Sequence, residues 1–495
     1  MKRIVSIVLL ICLLCGLMAG CKAKKSANSA TDVEIIYWET GYGRAWLDAV
    51  IKNFNESQDK YHATLVSSAE NRLGEITRGD ATGDLYIGSM NSYHANKQWL
   101  YPLDELLATK LEGESLTIGE KIGSYVDNNK HLDGHTYAIT GLNGGICAIM
   151  YNVDVMSGYE LPNTTDELVK LCLDLTSDGI TPFCHYADYW YYVYEAWIAQ
   201  YEGEKTFIKN WNGIYVDENG AEHKNDVRSV TESKGRYEAY KVLEDILSPK
   251  GYTYTNCNSF NHTTAQTYFL AGYAAMQPNG SWIENEMGGG DAAANILPMK
   301  TPVLSAVADK LGIKSDRHLS LIVDYVDGTA LSESEMAIVN SYSAEVIEAV
   351  REDRNTYYSG HPGHTVIPNY SNCIDGAMEL LKYMYSDEGI KIAADVTGTP
   401  NAPQFGGDVN LDDSNWSDFM RECNKLRQGA NVIVHDLVEP IFYLTGVDHL
   451  KINCPVRSMT YRTDGGILNT DQYWAKETAA WEAKWPQMII DAGLQ

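Results

Sequence analysis

Along the chain, the pattern of hydrophobic and polar residues switches between the two-residue period of a β-strand and the 3.6-residue period of an α-helix. The segment 33–38 alternates as a β-strand does, and Trp46, Val50 and Phe54 then fall on one face of a helix. A second short apolar run, 84–88, predicts another strand and is again followed by a helical pattern. This alternation of strands and helices predicts an α/β fold with a parallel sheet.

The loop after the first predicted strand contains Glu39 and Tyr42. It offers a carboxylate, an aromatic ring and the backbone amides at the start of the next helix. Ligands of open α/β sheets bind beyond the carboxyl ends of the strands, so this loop is predicted to form one wall of a ligand site. Its Gly41-x-Gly43 is not a dinucleotide fingerprint, because Trp46 occupies the third glycine position.

The stretch 268–282 combines three local patterns. An aromatic and apolar helical end leads to Gly272, which is expected to cap the helix in a left-handed conformation. The segment 274–276 predicts a short buried strand, and the turn formers at 278–280 are expected to close it. Trp282 is therefore expected on a loop directly after a strand. The alternative is that Trp282 is an ordinary core residue.

The densest aromatic block of the chain is 186–197. At helical spacing Trp190, Tyr194 and Trp197 share one face, and one face of this helix must pack into the core. Aromatic rings on the other faces would be exposed unless a ligand covered them. The residues chosen from this block as candidates for stacking on a ligand are Trp190, Tyr191 and Tyr192.

Cap and turn signals divide the rest of the chain. Thr164 and Glu167 have the spacing of a capping box, in which Glu167 returns to the Thr164 amide. Asn219-Gly220 predicts the turn of a hairpin, and the glycine-rich segments 141–145 and 288–290 predict crossovers. Further predicted elements are a helix at 236–247, a strand passage at 361–368, a helix pair at 377–398 and a C-terminal helix with Trp474, Trp481 and Trp485 at core spacing.

The N-terminus has the pattern of a targeting segment. Two basic residues precede the apolar run 4–17, which is too short to span a membrane comfortably. Leu17-Met18-Ala19-Gly20-Cys21 then resembles a bacterial lipobox, which predicts a signal peptide at 1–20 and lipid attachment to Cys21. An ordinary signal peptide with an incidental cysteine is the alternative. Residues 21–31 are predicted to form a short flexible tether.

Composition narrows the possible partners. The chain of 495 residues has 66 acidic and 39 basic residues and a net charge of −27, which disfavours nucleic acid and anionic membrane surfaces. It contains 33 Tyr and 11 Trp against 8 Phe. Tyr and Trp combine an apolar ring with a polar group, which matches sugars, because sugars have apolar C–H faces and hydroxyl rims. Tyrosines that merely cover the surface would give the same counts.

The sequence contains no strong signal for a metal, a cofactor or a catalytic centre. Seven cysteines follow Cys21, an odd number without a C-x-x-C pair, which predicts neither a disulfide framework nor a zinc site, although one or two disulfides are compatible with it. Asp408, Asn410 and Asp412 match the first EF-hand positions, but Phe419 stands where the bidentate glutamate is required. No pair of carboxylates is singled out for glycoside hydrolysis, so no enzyme activity is predicted.

Three segments resemble the family 1 extracellular solute-binding proteins of ABC importers. The stretch 268–282 resembles the signature F-x-x-G-x-A-A-M-x-x-x-G-x-W, and 377–398 resembles the late helix pair of the family. The run 151–168 resembles Y-N-x-D…P-x-T-W-x-E-L, with Asp166 in place of the customary Trp. The resemblance implies that Trp282 stacks on a sugar ring. It also implies that the aromatic block lines the cleft and that further ligand contacts come from Glu39, Tyr42, Asn91 and, by position, Asn143.

The resemblance implies a two-lobed α/β fold, the periplasmic-binding-protein type II fold, with several crossovers that act as a hinge. The predicted lobes are residues 32–141 plus 297–375 and residues 142–296 plus 376–495. The implied function is to capture a carbohydrate, with an oligosaccharide favoured, and to deliver it to an ABC permease. The protein is expected to be a monomer that lipid anchors to the outer face of the bacterial cytoplasmic membrane. The alternatives are a secreted carbohydrate-active enzyme and a surface lipoprotein that captures glycans without a transporter.

Overall fold

Two main β-sheets organise the chain. The computed structural model describes residues 30–88, 93–123, 126, 130–131, 133–140, 145–247, 251–359, 363–398, 412–433, 441, 455–460 and 467–494. In these residues the strands form a four-stranded sheet, a five-stranded sheet and a separate two-stranded hairpin.

The first sheet has the strand order β10-β3-β1-β2. Its strands are β1 (Thr31–Trp38), β2 (Tyr61–Ser68), β3 (Leu85–Gly88) and β10 (His364–Val366). Strand β1 is parallel to both β2 and β3, whereas β10 is antiparallel to β3. The parallel arrangement predicted from the alternating pattern is confirmed for this sheet.

The second sheet is mainly antiparallel. Its strands are β4 (Ile146–Asn152), β7 (Met276–Gly280), β8 (Ile296–Pro298), β9 (Thr356–Ser359) and β11 (Asn431–Ile433). The central strand β4 is antiparallel to β7, β8 and β9, and β11 is parallel to β9. The remaining strands, β5 (Ile214–Val216) and β6 (Glu222–Lys224), form the predicted hairpin around Asn219-Gly220.

Helices surround both sheets. The α-helices of the described residues are α1 (Ala45–Ser57), α2 (Gly74–Arg78), α3 (Asp104–Ala108), α4 (Ile118–Ile122), α5 (Thr165–Ser177), α6 (Tyr191–Glu202), α7 (Glu204–Trp211), α8 (Arg228–Thr231), α9 (Lys234–Leu247), α10 (His262–Leu270), α11 (Ile283–Glu286), α12 (Val307–Lys310), α13 (Asp316–Asp327), α14 (Glu333–Val339), α15 (Ala344–Arg354), α16 (Ile374–Met384), α17 (Asp387–Thr397), α18 (Asp418–Arg427), α19 (Pro455–Thr460) and α20 (Thr470–Asp491). Together with the two sheets they make a two-lobed α/β fold, as the sequence predicts.

Each sheet has its own set of covering helices. Helices α1, α16 and α17 pack on the first sheet, where Leu47 and Leu381 share one apolar core with Val33. Helices α5, α6, α9, α13 and α15 pack with the second sheet, where Trp197 and Ile322 share a core with Ile149. The predicted lobes placed α13 and α15 in the first lobe and α16 and α17 in the second, so the packing differs from that division. Apolar helix patterns do not reveal which of two sheets they cover.

Several local predictions are confirmed and two are corrected. Helix α1 buries Trp46, Val50 and Phe54, as its spacing predicts. The residues at 278–280, expected to form a turn, belong to β7 and pair with β4. Thr164 caps α5 through the Glu167 amide, but the Glu167 carboxylate accepts a hydrogen bond from Asn163, one residue earlier than the Thr164 amide that a capping box requires.

The six described cysteines after Cys21 are all buried free thiols. Among the described residues there is no group of three or more His, Cys, Asp or Glu side chains that could hold a metal ion. The described helices include none that is both long enough and apolar enough to span a membrane.

Candidate ligand-binding site

Three chain segments meet between the two sheets. The loop after β1 leaves the carboxyl end of the first sheet, and Ser281 follows directly after β7 of the second sheet. The Ser281 amide donates to the carbonyl of Ile146, the first residue of β4 (2.9 Å). The end of β9 lies beside them, because Ser359 pairs with Ile146.

A hydrogen bond joins the two sides of this junction. The hydroxyls of Tyr42 and Ser281 lie 2.8 Å apart and are buried. Gly145 makes their approach possible, because a Cβ at Gly145 would lie 2.0 Å from Ser281 Oγ and 2.2 Å from Tyr42 Oη. Burial raises the pKa of the Tyr42 hydroxyl well above its ordinary value, so this group stays protonated.

Trp282 lies against the loop after β1. A Cβ at Gly41 would come 2.7 Å from Trp282 Cδ1, so only a glycine fits at this contact. On its other sides the indole meets Tyr192 and Tyr189 edge to face, with ring centroids 5.3 and 6.3 Å away. The Trp282 side chain is 9% exposed. Trp282 thus lies in the turn between β7 and α11, close to the end of a strand as its sequence pattern predicts, and it also belongs to an apolar core, as the alternative held.

Further tyrosines extend this contact. The ring of Tyr192 lies 5.8 Å from that of Tyr358 on β9, and the ring of Tyr191 lies 5.5 Å from the same residue. The inter-sheet aromatic cluster is defined here as Tyr189, Tyr191, Tyr192, Trp282 and Tyr358. Three members of this cluster also belong to the apolar core that covers the first sheet, which contains Tyr42 and Trp46. These members are Trp282, Tyr192 and Tyr358.

Polar groups border the cluster. Glu286 lies on α11, one turn after Trp282, and accepts a hydrogen bond from Gln266 (2.7 Å). His262 Nε2 is 3.5 Å from the Glu286 carboxylate, and its ring lies 6.4 Å from that of Tyr189. Burial raises the pKa of Tyr189, and the negative charge of Glu286 raises it further. These groups supply hydrogen-bond donors and acceptors beside the aromatic rings.

Two predicted residues of the loop after β1 have different surroundings. Tyr42 points into the junction and is buried. Glu39 is exposed, and its carboxylate accepts a hydrogen bond from the Ser67 hydroxyl at 2.6 Å. The loop is held by the Tyr37 hydroxyl, which donates to the Gly43 carbonyl (2.9 Å).

Trp190 lies in a different environment from Tyr191 and Tyr192, the other two residues of this block that are predicted to stack on a ligand. It is fully buried, and its ring packs on Phe183 in the core of the second sheet (5.0 Å between centroids). The helical spacing that groups Trp190 with Tyr194 and Trp197 explains this position, because all three rings lie in that core. Trp190 therefore offers no exposed ring face to a ligand in this structure.

Three chosen residues lie outside the described part of the chain, namely Cys21, Asn91 and Asn143. Three residues of the junction were not chosen from the sequence. Tyr189 stands in the same aromatic block but in a 3₁₀ turn (Ala187–Trp190) before α6, so an α-helical wheel misplaces it. Ser281 precedes Trp282 and could have been found by that proximity. Tyr358 carries no local signal, since only its pairing in the sheet brings it to the junction.

The arrangement is suited to recognition. It presents aromatic rings, two hydroxyls and bordering amide and carboxylate groups at a junction between two sheets. Ligand sites of this kind combine apolar surface with a few oriented polar groups.

Comparison with known protein families gives one match. Residues 38–391 match the family model of the bacterial extracellular solute-binding proteins. The matched range begins at the last residue of β1 and includes every other strand of the two main sheets except β11, together with the whole inter-sheet aromatic cluster. A search of curated protein sequences gave no match.

Solved structures share this fold at low sequence identity. The bacterial solute receptor AcbH, described as having an exclusive preference for β-D-galactopyranose, has a TM-score of 0.60 and 13% identity, over 92% of this chain and 99% of its own. The GacH receptor of Streptomyces glaucescens, solved with acarbose, has a TM-score of 0.56 and 15% identity, over 92% and 99%. A chitin oligosaccharide binding protein has a TM-score of 0.56 and 14% identity, over 93% and 100%.

Proposed function

This chain belongs to the bacterial extracellular solute-binding proteins, and from that premise we propose that it captures a carbohydrate at the inter-sheet aromatic cluster and delivers it to an ABC importer. The position of Trp282 carries the proposal. Its indole stands directly after β7, between the two sheets and beside the hydroxyls of Tyr42 and Ser281. A sugar needs an apolar ring face and hydroxyl partners together, and both are present here.

The fold neighbours support this choice of ligand class. AcbH, GacH and the chitin oligosaccharide binding protein are described with galactopyranose, acarbose and chitin oligosaccharides respectively. Several tyrosines beside one tryptophan provide more than one stacking surface, which favours an oligosaccharide over a single sugar. We infer that Tyr191, Tyr192 and Tyr42 contribute contacts beside Trp282, and that Asn91, Asn143 and Glu39 belong to the surrounding loops.

The energetics are consistent with reversible capture. Covering about 100 Å² of the indole contributes roughly 2.5 kcal/mol at ~25 cal/mol/Å². Two or three such surfaces, with hydrogen bonds of ~1 kcal/mol each, offset the loss of ligand freedom and give an affinity of about micromolar. Since Trp282 is 9% exposed and both Tyr42 and Tyr192 are buried, ligand entry requires the two sheets to separate and close again, as in hinge closure.

We propose that lipid on Cys21 holds the mature chain at the outer face of the cytoplasmic membrane, where it can meet a permease. The lipobox supports this placement. Cys21→Ser in the producing bacterium should release the protein into the medium, whereas Cys147→Ser, a buried cysteine of β4, should leave it cell-associated. Retention of the Cys21→Ser protein on the cells would contradict lipid anchoring.

The decisive experiment is calorimetric titration of the soluble form, beginning at Lys22, against a panel of mono- and oligosaccharides. We expect one sugar to bind without hydrolysis, and Trp282→Ala to abolish the binding. Trp474→Ala is a matched control, because Trp474 packs on Tyr237 of α9. Recovery of shortened sugar after incubation would favour the secreted-enzyme alternative. Unchanged affinity of Trp282→Ala would contradict this site.

A further inference from the structure

A second group of aromatic side chains lies on the surface near α10. We define the surface aromatic cluster as Tyr254, Phe260, Tyr268 and Tyr273. Their ring centroids are 5.0 to 6.2 Å apart along the cluster. Tyr273 is 58% exposed, which is the largest exposure among the large apolar side chains of the described residues, and the other three are half-buried.

The end of α10 builds this cluster. The Gly272 amide donates to Phe269 O (2.9 Å) and the Tyr273 amide to Tyr268 O (3.1 Å), which is the Schellman pattern, with Gly272 at a φ of +77°. The motif brings the rings of Tyr268 and Tyr273 together, 5.4 Å apart. An aliphatic side chain would serve that contact equally well, so the motif explains the position of Tyr273 and leaves its aromatic ring and hydroxyl unexplained.

The hydroxyl groups of the cluster are available to a ligand. Within the described residues, the hydroxyls of Tyr254, Tyr268 and Tyr273 make no hydrogen bond to protein. Their rings also adjoin one another, since the Tyr254 centroid lies 5.1 Å from that of Tyr268 and 6.1 Å from that of Tyr273. Three hydroxyls around adjoining rings match the alternation of apolar and hydroxyl surface on a sugar chain.

The chain segment that carries the cluster has no charged side chain. The whole stretch from Gly251 to Ile283 contains no Asp, Glu, Lys or Arg, in a chain of which 21% of residues are charged and the net charge is −27. A membrane surface or a charged protein loop would be recognised by ionic groups. A neutral ligand with many hydroxyls fits this surface better.

The cluster is close along the chain to residues that border the proposed sugar site. Phe260 and His262 flank Asn261, which caps α10. The ring of His262 lies 6.1 Å from Tyr186 and 6.4 Å from Tyr189, and Tyr189 in turn contacts Trp282. Ring contacts therefore run from Trp282 through Tyr189 to His262, which lies two residues along the chain from Phe260 of the cluster.

We propose that the surface aromatic cluster is a second binding site, which holds a neutral polysaccharide chain outside the inter-sheet site. Its ligand class rests on the proposed function, but its rings are separate from those around Trp282. A site of this kind would keep the protein on a polymer from which shorter sugars are released, and so raise their local concentration.

Native affinity electrophoresis tests the proposal with starch, xylan, galactomannan and mixed-linkage glucan as soluble probes in the gel. We expect at least one polymer to retard the wild-type protein, and Tyr268→Ala/Tyr273→Ala to weaken the retardation about tenfold. Tyr268→Phe/Tyr273→Phe, which keeps both rings, should lose less. Tyr325→Ala, at a tyrosine 40% exposed on α13, should be retarded like the wild type.

The variants also separate this site from the inter-sheet site. Retardation that survives Trp282→Ala and is lost in Tyr268→Ala/Tyr273→Ala supports a second site. If the retardation were lost only in Trp282→Ala, the second site would be ruled out, while the proposed function would remain intact. Absence of retardation in every gel would overturn the second site too, and calorimetry with small sugars would report on the inter-sheet site independently. Thermal melting of each variant checks that it is folded.

Discussion

The hydroxyl of Tyr42 lies 2.8 Å from that of Ser281 and joins the loop after β1 to the residue after β7. Each partner follows a strand of a different sheet, and the bond is buried at their junction. Separation of the two sheets must break it, so its strength contributes to the balance between the open and closed forms. A buried neutral hydrogen bond of this kind contributes about 1 kcal/mol.

The first prediction concerns this bond. Tyr42→Phe keeps the ring and removes the hydroxyl, which should lower the affinity for the sugar found by calorimetry about fivefold, because closure is then less favourable. Small-angle scattering of the sugar-free protein should show a larger radius of gyration. Tyr86→Phe is the matched control, since the Tyr86 hydroxyl bonds within the first sheet side to Glu75. Equal affinities of both variants and the wild type would contradict the link to closure.

The second prediction separates Trp190 from Trp282. Trp190→Ala removes a fully buried ring from the core of the second sheet and should lower the free energy of unfolding by about 3–5 kcal/mol. Urea unfolding followed by circular dichroism measures this. Sugar affinity of the folded fraction should change little, whereas Trp282→Ala should lose affinity with a smaller effect on stability. If the Trp190→Ala protein kept its stability but no longer bound the sugar, Trp190 would be a ligand contact and this prediction would be wrong.

The sequence predicted local structure and the position of Trp282 because those depend on neighbouring residues. Helical spacing fixed the buried face of α1, and Gly272 ended α10 as its lack of a Cβ allows. The partition of helices between the two sheets was not predictable in this way, since α13 and α16 have apolar faces that would suit either core. Tyr358 was missed for a related reason, because only the pairing of β9 with β4 brings it to Tyr192.

A cluster of buried charged side chains lies among the helices that pack with the second sheet. Arg236 of α9 approaches Glu477 of α20 (3.6 Å), and Glu195 of α6 is buried beside them. The Tyr240 hydroxyl donates to Glu477 (3.3 Å). Burial raises the pKa of Glu195 from 4.5 to about 8, since the loss of hydration outweighs the attraction of Arg236 and the charge of Glu477 adds to the rise. The pKa of Glu477 is also raised, mainly by burial.

The third prediction follows from the sign of this shift. Between the ordinary pKa of Glu195 and its raised value, the folded state holds a proton that the unfolded chain has released, so stability falls as the pH rises. Glu195→Gln cannot ionise. Its free energy of unfolding should therefore fall less than that of the wild type between about pH 5 and about pH 8, by on the order of 2 kcal/mol. Urea titrations across this range measure it. Glu348→Gln, at an exposed site, should follow the wild type, and parallel curves for Glu195→Gln would refute the shift.

The fourth prediction concerns Lys121, which is fully buried on α4. Its ammonium lies 2.6 Å from the carboxylates of both Glu114 and Asp387 and donates to the Tyr385 carbonyl at 3.0 Å. It therefore ties α4 to the junction of α16 and α17. Lys121→Met keeps the apolar stem and leaves two neighbouring carboxylates without their shared cation. We expect a loss of about 3–5 kcal/mol in the free energy of unfolding, as for other buried ion pairs that lose one partner.

The matched control for this prediction is Lys170→Met. Lys170 pairs with Asp174 at the same distance of 2.6 Å, but its side chain is 72% exposed. Solvent screens such a pair, so its loss should leave the free energy of unfolding nearly unchanged. Urea unfolding of both variants compares the two sites directly. If Lys121→Met were as stable as Lys170→Met, the cost of burying the Lys121 ammonium would equal its attraction to the two carboxylates, and these ion pairs would not be what holds α4 against α17.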